Sequence, residues 1–224
     1  MNKGICNVSI APLRADCSDK SEIVTQLLYG ESADIIDVSN NWTRIRTHYD
    51  NYEAWMDTKQ ITAVSDEYLA SRKTNLIQES FQSTMLESGR TLLSMGSEVT
   101  FETSSPTRGQ DLSESIVNCA KEFLNVPYLW GGKSFFGIDC SGFTQIIYKI
   151  HGIKIPRDTY QQAEIGEVLT FIEEAKPGDL AFFENEEGLI SHVGMMLNTQ
   201  EIIHAYGKVR IDEVDSTGIF NKEL

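Results

Sequence analysis

Asp139-Cys140-Ser141-Gly142-Phe143-Thr144-Gln145-Ile146-Ile147-Tyr148-Lys149-Ile150 is the stretch on which the fold turns. Phe143, Ile146, Ile147 and Ile150 fall at i, i+3, i+4 and i+7, the spacing of one helix face. His151-Gly152 closes the run as a favourable C-terminal pair, so a helix is expected to begin near Cys140. Upstream, Asp111-Leu112-Ser113-Glu114 reads as an N-cap with an acidic residue three positions on, and Ile116, Val117, Ala120 and Leu124 follow at helical spacing. Downstream come three strand candidates, Asp179 to Phe183, Ser191 to Leu197 and Glu201 to Tyr206. Helices first and strands afterwards define an α+β domain over residues 110–224.

The beginning of the chain follows another pattern. Val8-Ser9-Ile10, Ile23 to Leu28, Ala33 to Val38, Trp42 to Thr47 and Ala54-Trp55-Met56 are apolar or alternating stretches separated by clusters such as Asp16-Cys17-Ser18-Asp19 and Ser39-Asn40-Asn41. Five short strands within residues 1–64 suggest a small β-barrel. Residues 65–109 read as a linker or an additional β or helical subdomain. Ser80 to Leu93 suits either a helix or further strand, and Thr103-Ser104-Ser105-Pro106-Thr107-Arg108-Gly109 has the composition of an exposed loop near a domain boundary.

Composition removes several function classes. Hydrophobic residues make up 41% of the 224 and charged residues 23%, ordinary for a globular chain, but the formal net charge is −14 without a basic cluster. Phosphate neutralisation by grouped Lys and Arg is missing, which argues against nucleic acid, and the same charge disfavours anionic membranes and wall polymers. Small soluble substrates are the expected partners; oligomeric state is left open. No apolar run of signal-peptide or membrane-helix length is present, so a cytoplasmic location is expected if Met1 is the natural start. A chain trimmed of its leader would read the same. Cys6, Cys17, Cys119 and Cys140 form no C-x-x-C pair and are too few for a disulfide scaffold.

Cys140 is the cysteine with a chemical context. At a helix N-terminus a thiol meets partial positive charge, which favours the thiolate; the alternative is a small buried hydrophobe. His192 and His204 weigh the balance. If Asn198-Thr199-Gln200 is a hairpin loop, Leu197 pairs with Glu201 and His192 lies near His204. The odd loop length puts both rings on one face, shared with Gly194, whose missing side chain is expected to leave space between the rings. A thiol, a base and an orienting partner are the three parts of nucleophilic catalysis. Zinc binding by Cys140 and the two histidines is the weaker alternative, since a structural site needs a fourth ligand. No metal and no cofactor is implied.

Tyr128-Leu129-Trp130-Gly131-Gly132, Asp139-Cys140-Ser141-Gly142-Phe143, Pro177-Gly178-Asp179-Leu180, His192-Val193-Gly194 and Ile203-His204-Ala205 together resemble the NlpC-type family of bacterial cell-wall peptidases, which are papain-like cysteine peptidases. The resemblance covers roughly residues 110–215. Leu13-Arg14-Ala15-Asp16, Ser21-Glu22-Ile23-Val24-Thr25-Gln26 and Tyr52-Glu53-Ala54-Trp55 resemble the bacterial SH3-like domain that precedes the catalytic domain in one branch, the γ-D-glutamyl-L-diamino acid dipeptidyl-peptidases.

The resemblance implies a papain-like domain, helices packed on an antiparallel sheet, behind a small SH3-like β-barrel. It implies Cys140 as nucleophile, His192 as base, His204 as its orienter and Tyr128 as an oxyanion donor. Asp139, with Glu22 and Tyr52, would hold the substrate's terminal ammonium; Trp130, Ser141 and Arg157-Asp158-Thr159 would line the rest of the substrate, the last four at the D-Glu carboxylate. The activity implied is release of L-Ala-D-Glu from murein-derived peptides with a free L-Ala amine, with L-Lys or a diaminopimelate as the next residue. An endopeptidase or amidase acting on intact wall, and a wall-peptide-binding module without turnover, are the alternatives.

Overall fold

The computed structural model describes residues 2–87 and 89–221. Met1, Ser88 and residues 222–224, which the domain boundaries above include, lie outside the described residues. The chain divides into two compact units. One takes the residues up to Pro106 together with Trp130–Phe135, and the other takes Thr107–Leu129 and the residues from Phe136 onward.

The first unit is built on a seven-stranded antiparallel sheet among the described residues. Its strands are β1 (Asn2–Cys6), β2 (Ile10–Arg14), β3 (Ile23–Leu28), β4 (Ser32–Ser39), β5 (Trp42–Thr47), β6 (Glu53–Asp57) and β7 (Ile61–Val64), in the order β3-β2-β6-β5-β4-β1-β7. Alternation along the strands sends Ala11, Leu13, Leu27, Ala33, Ile45, Ala54 and Met56 into one core with Cys6 and Ile61. Two expectations change here. Val8-Ser9-Ile10 is not a strand of its own: Ile10 starts β2, and Asn2–Cys6 and Ile61–Val64 bring the number beyond five. Ser80 to Leu93 is no helix: Phe81–Leu86 and Gly89–Ser94 pair as antiparallel strands. A short helix, Asp66–Ser71, is capped by the Ser65 hydroxyl, which accepts from the Tyr68 N–H.

Trp130–Phe135 is fixed in this unit by polar contacts out of water. Lys133 Nζ lies 3.0 and 3.1 Å from the Glu31 carboxylate oxygens, with the two side chains 4% and 2% exposed. The Lys133 N–H donates to Gln26 Oε1, and Glu31 also accepts from the Leu28 N–H. Gly131 (φ 74°) lies so close to Ile23 that a Cβ would fall 2.3 Å from its carbonyl oxygen, and only glycine fits both the conformation and the approach.

The second unit carries helices at Leu112–Glu122, Cys140–Ile150 and Thr159–Ala163, and a five-stranded antiparallel meander among the described residues: Leu180–Glu184, Ile190–Met196, Glu201–Tyr206, Lys208–Asp215 and Gly218–Phe220. Asp111 caps the first helix by accepting from the Glu114 N–H, as its sequence suggests. Leu124 is a correction. The helix ends at Glu122, Leu124 is exposed, and Phe123 turns inward instead to meet Phe143 edge to face at 5.7 Å. The helix from Cys140 buries Phe143, Ile146 and Ile147 and packs on the strand that bears His192. The whole is an α+β fold. No described helix is long and apolar enough to cross a membrane.

Candidate active site

Cys140 is the first residue of its helix, and Asp139 is the cap, its Oδ1 accepting from the Gly142 N–H at 2.7 Å. Asp139 is in turn held by Arg157. The guanidinium donates to Oδ1 at 3.0 Å and Oδ2 at 2.6 Å, and to Ser141 Oγ at 2.7 Å. Arg157 is buried, so this is a bidentate ion pair away from solvent. Asp139, Ser141 and Arg157 therefore meet, as a set that supports the turn carrying the cysteine. Asp158 opens the short helix that begins at Thr159, and Thr159 Oγ1 lies 3.8 Å from Cys140 Sγ.

The histidines come from adjacent strands. Leu197 N–H donates to the Glu201 carbonyl, and Gly194 stands opposite His204 in the ladder. His192 is thus the diagonal neighbour of His204 on the same face, and its Nε2 lies 2.8 Å from His204 Nδ1. The odd-length loop produces this arrangement, as expected. A Cβ on Gly194 would fall 2.9 Å from His204 Cβ and 2.5 Å from Ile202 Cδ1, so the room the glycine leaves is between His204 and Ile202 and not, as expected, between the two rings. The second ring nitrogen of His204, Nε2, lies 3.0 Å from Asp212 Oδ2. Arg210 binds that carboxylate, Nη2 to Oδ1 at 2.9 Å and Nε near Oδ2 at 2.8 Å. Asp212 and Arg210 were not foreseen as site residues; they lie beyond Glu201 to Tyr206, the last strand expected from the sequence. The signal was there, as Gly207 followed by charged residues two apart, Arg210 and Asp212, on the face of His204.

The thiol sits between these parts. Backbone hydrogen bonds at Val193, the neighbour of His192, and at Ser141 reach it, as does the Thr159 hydroxyl. All three favour the thiolate. Burial and the Asp139 carboxylate outweigh them and push the thiol above its ordinary value. Tyr128 is held by Tyr128 N–H to Gly207 carbonyl and by a parallel bridge to Ile138. Its hydroxyl is pushed up to about 12 by burial and by the charges at Cys140 and Asp139, so it stays a donor.

Burial first, and His204 second, hold His192 down at about 4. His204 is also lowered by burial, against the pull of Asp212. Unfolded histidine titrates near 6.5, so between pH 6.5 and 4 the unfolded chain binds the extra proton. Stability is then expected to be flat above 6.5 and to fall as the pH drops through that window, by about 3 kcal/mol for His192. Urea unfolding at a series of pH values measures it. His192→Gln should flatten the slope, and an unchanged slope would exclude burial of His192 as its source.

The remaining expected residues lie in the first unit. Trp130 Nε1 donates to Glu22 Oε1 at 2.5 Å, and Tyr52 packs at the edge of that unit's core. Among the described residues no group of three or more His, Cys, Asp or Glu is disposed to hold a metal ion.

A helix-start cysteine against a sheet bearing two hydrogen-bonded histidines, in an α+β unit, defines the class of papain-like cysteine peptidases. Residues 125–223 match the NlpC/P60 family, and residues 13–61 match the bacterial dipeptidyl-peptidase SH3 domain. The chain belongs to the NlpC/P60 family and is a cysteine peptidase. It is 30% identical over 230 residues to a γ-D-glutamyl-L-lysine dipeptidyl-peptidase of Bacillus cereus, covering 84% of this chain and 68% of that one. To a protein of the same name from Bacillus subtilis it is 43% identical over 117 residues, 50% of this chain and 39% of that one. A crystal structure of an NlpC/P60 family protein from Bacillus cereus superposes with a TM-score of 0.83 at 23% identity, covering 96% and 95% of the two chains, and shares the fold.

Proposed function

We propose that the chain releases L-Ala-D-Glu from small murein-derived peptides that carry a free N-terminal L-Ala, cutting the γ-D-Glu bond to a diamino acid. The observation that carries this reading is the line of contacts from the strand beside Cys140 through His192 and His204 to Asp212. Relatives named γ-D-glutamyl-L-lysine dipeptidyl-peptidases support the substrate class and favour L-Lys as the third residue.

In this reading the Cys140 proton passes to His192 as the sulfur attacks the γ-carbonyl. Burial penalises a lone thiolate and a lone imidazolium alike; formed together, each compensates the other. The oxyanion is met by the Tyr128 hydroxyl and the Cys140 N–H. The C–N bond breaks as His192 gives its proton to the leaving amine, and water then hydrolyses the thioester to free the dipeptide and the thiol. Arg157 and Ser141 keep the Asp139–Cys140 turn in place. Asp139 is the carboxylate of this unit assigned to the substrate's ammonium.

Incubation with L-Ala-γ-D-Glu-L-Lys and with its N-acetyl form, followed by mass spectrometry, tests the reading. Acetylation removes one charge-assisted hydrogen-bonding group and is expected to lower kcat/KM about a hundredfold. Equal cleavage of both would leave a peptidase without amine recognition, as in an endopeptidase. Cleavage of neither would overturn the substrate assignment.

A further inference from the structure

We infer that Asp212 is a positioning residue that fixes the tautomer of both histidines and so makes His192 Nδ1 the atom that takes the Cys140 proton. The inference rests on the reading of Cys140 and His192 as the reacting pair, and on the order of contacts around His204. A carboxylate has no proton to give, and Arg210 holds Asp212 as the anionic half of an ion pair. The contact of 3.0 Å between Asp212 Oδ2 and His204 Nε2 therefore requires the proton on Nε2. A neutral imidazole carries one N–H, so His204 Nδ1 has the lone pair. That lone pair faces His192 Nε2 at 2.8 Å, and His192 must then donate from Nε2. Its own lone pair is left on Nδ1. One buried carboxylate settles the protonation of an atom two rings away, with the His192 N–H directed at His204 and the His204 N–H at Asp212.

The partner of the second Asp212 oxygen strengthens the case. Arg210 Nη2 donates to Oδ1, the oxygen that does not face His204. In an Asp212→Asn chain the amide oxygen keeps the Oδ1 position, the one that accepts the Nη2 hydrogen bond, and the NH₂ group takes the Oδ2 position toward His204. The relay then reverses. His204 accepts at Nε2 and donates from Nδ1, His192 accepts at Nε2, and His192 Nδ1 carries the proton. It can no longer receive one from Cys140.

The test uses the full chain labelled with ¹⁵N-histidine, observed at neutral pH by long-range ¹H–¹⁵N correlation, alongside kinetics on L-Ala-γ-D-Glu-L-Lys. The expected result for the unaltered protein is Nε2–H on both His192 and His204. Asp212→Asn should show Nδ1–H on both, with kcat down about a hundredfold and KM within about twofold. Asp212→Ala offers no donor to His204, so it should lose less activity than Asp212→Asn although it removes more atoms. A mere packing role predicts the reverse order. Nδ1–H on either ring of the unaltered protein would overturn the inference, and that measurement needs no variant to fold. If the unaltered protein does not turn over the peptide, the substrate reading fails while the tautomer result stands or falls by itself.

Discussion

Cys140→Ala is expected to lower peptidase turnover by about 10⁵-fold or more while leaving the fold intact. No other described cysteine can take over. Cys6 lies in the core of the first unit and Cys119 in the buried face of the Leu112–Glu122 helix, and burial pushes each thiol up to about 12. Cys17 stands in the turn after β2, in the first unit, whereas His192 and His204 belong to the second. The structural cost is small because only one sulfur is removed, about 1 kcal/mol for a cavity of that size. Cys140→Ser should lose nearly as much activity, since an alcohol is a far weaker acid than a thiol and His192, held near 4, is a weak base. Single-turnover kinetics with a thermal melt of each variant measure both parts. Turnover retained in Cys140→Ala would remove the thioester from the mechanism.

How far such chemistry is legible in sequence depends on whether it follows a period. The Cys140 helix and the histidine pair were legible, because a helical face and an odd-length loop both fix which side chains share a side. Asp212 was not, although it lies one strand further on. In Lys208–Asp215 the burial changes phase: Val209 is buried on one face, then Asp212 and Val214 on the other. A charged residue occupying a core position breaks the apolar alternation by which a strand is read, and the strand was passed over with it. The Phe81–Ser94 hairpin was ambiguous for a different reason. Gln82, Ser83 and Thr84 interrupt its apolar residues, and its first strand has no fully buried face to impose a period. Arg157 shows the same limit in its strongest form. A resemblance assigned it to substrate, and nothing in composition marks a guanidinium that will be almost wholly enclosed by the protein.

That enclosure sets the second large effect. Arg157→Met is expected to cost about 3–5 kcal/mol, because it strands the Asp139 carboxylate, itself buried, without its bidentate partner. For a unit of roughly a hundred residues this corresponds to a fall in Tm on the order of 15 °C or more. The damage reaches the chemistry through two routes. Asp139 caps the helix that begins with Cys140, so movement of its side chain loosens the turn that holds the sulfur. Its charge already raises the thiol, and without Arg157 beside it the thiolate becomes still harder to form. Alkylation of Cys140 by iodoacetamide at neutral pH should slow accordingly in whatever fraction stays folded. The pairing, and not the bulk of the arginine, is responsible if Asp139→Asn/Arg157→Met recovers much of the lost stability: the amide oxygen still caps Gly142, and no buried charge is left unpaired. A double variant no more stable than Arg157→Met would assign the loss to packing around the arginine stem instead, and the ion pair would lose its place as the support of the cysteine turn.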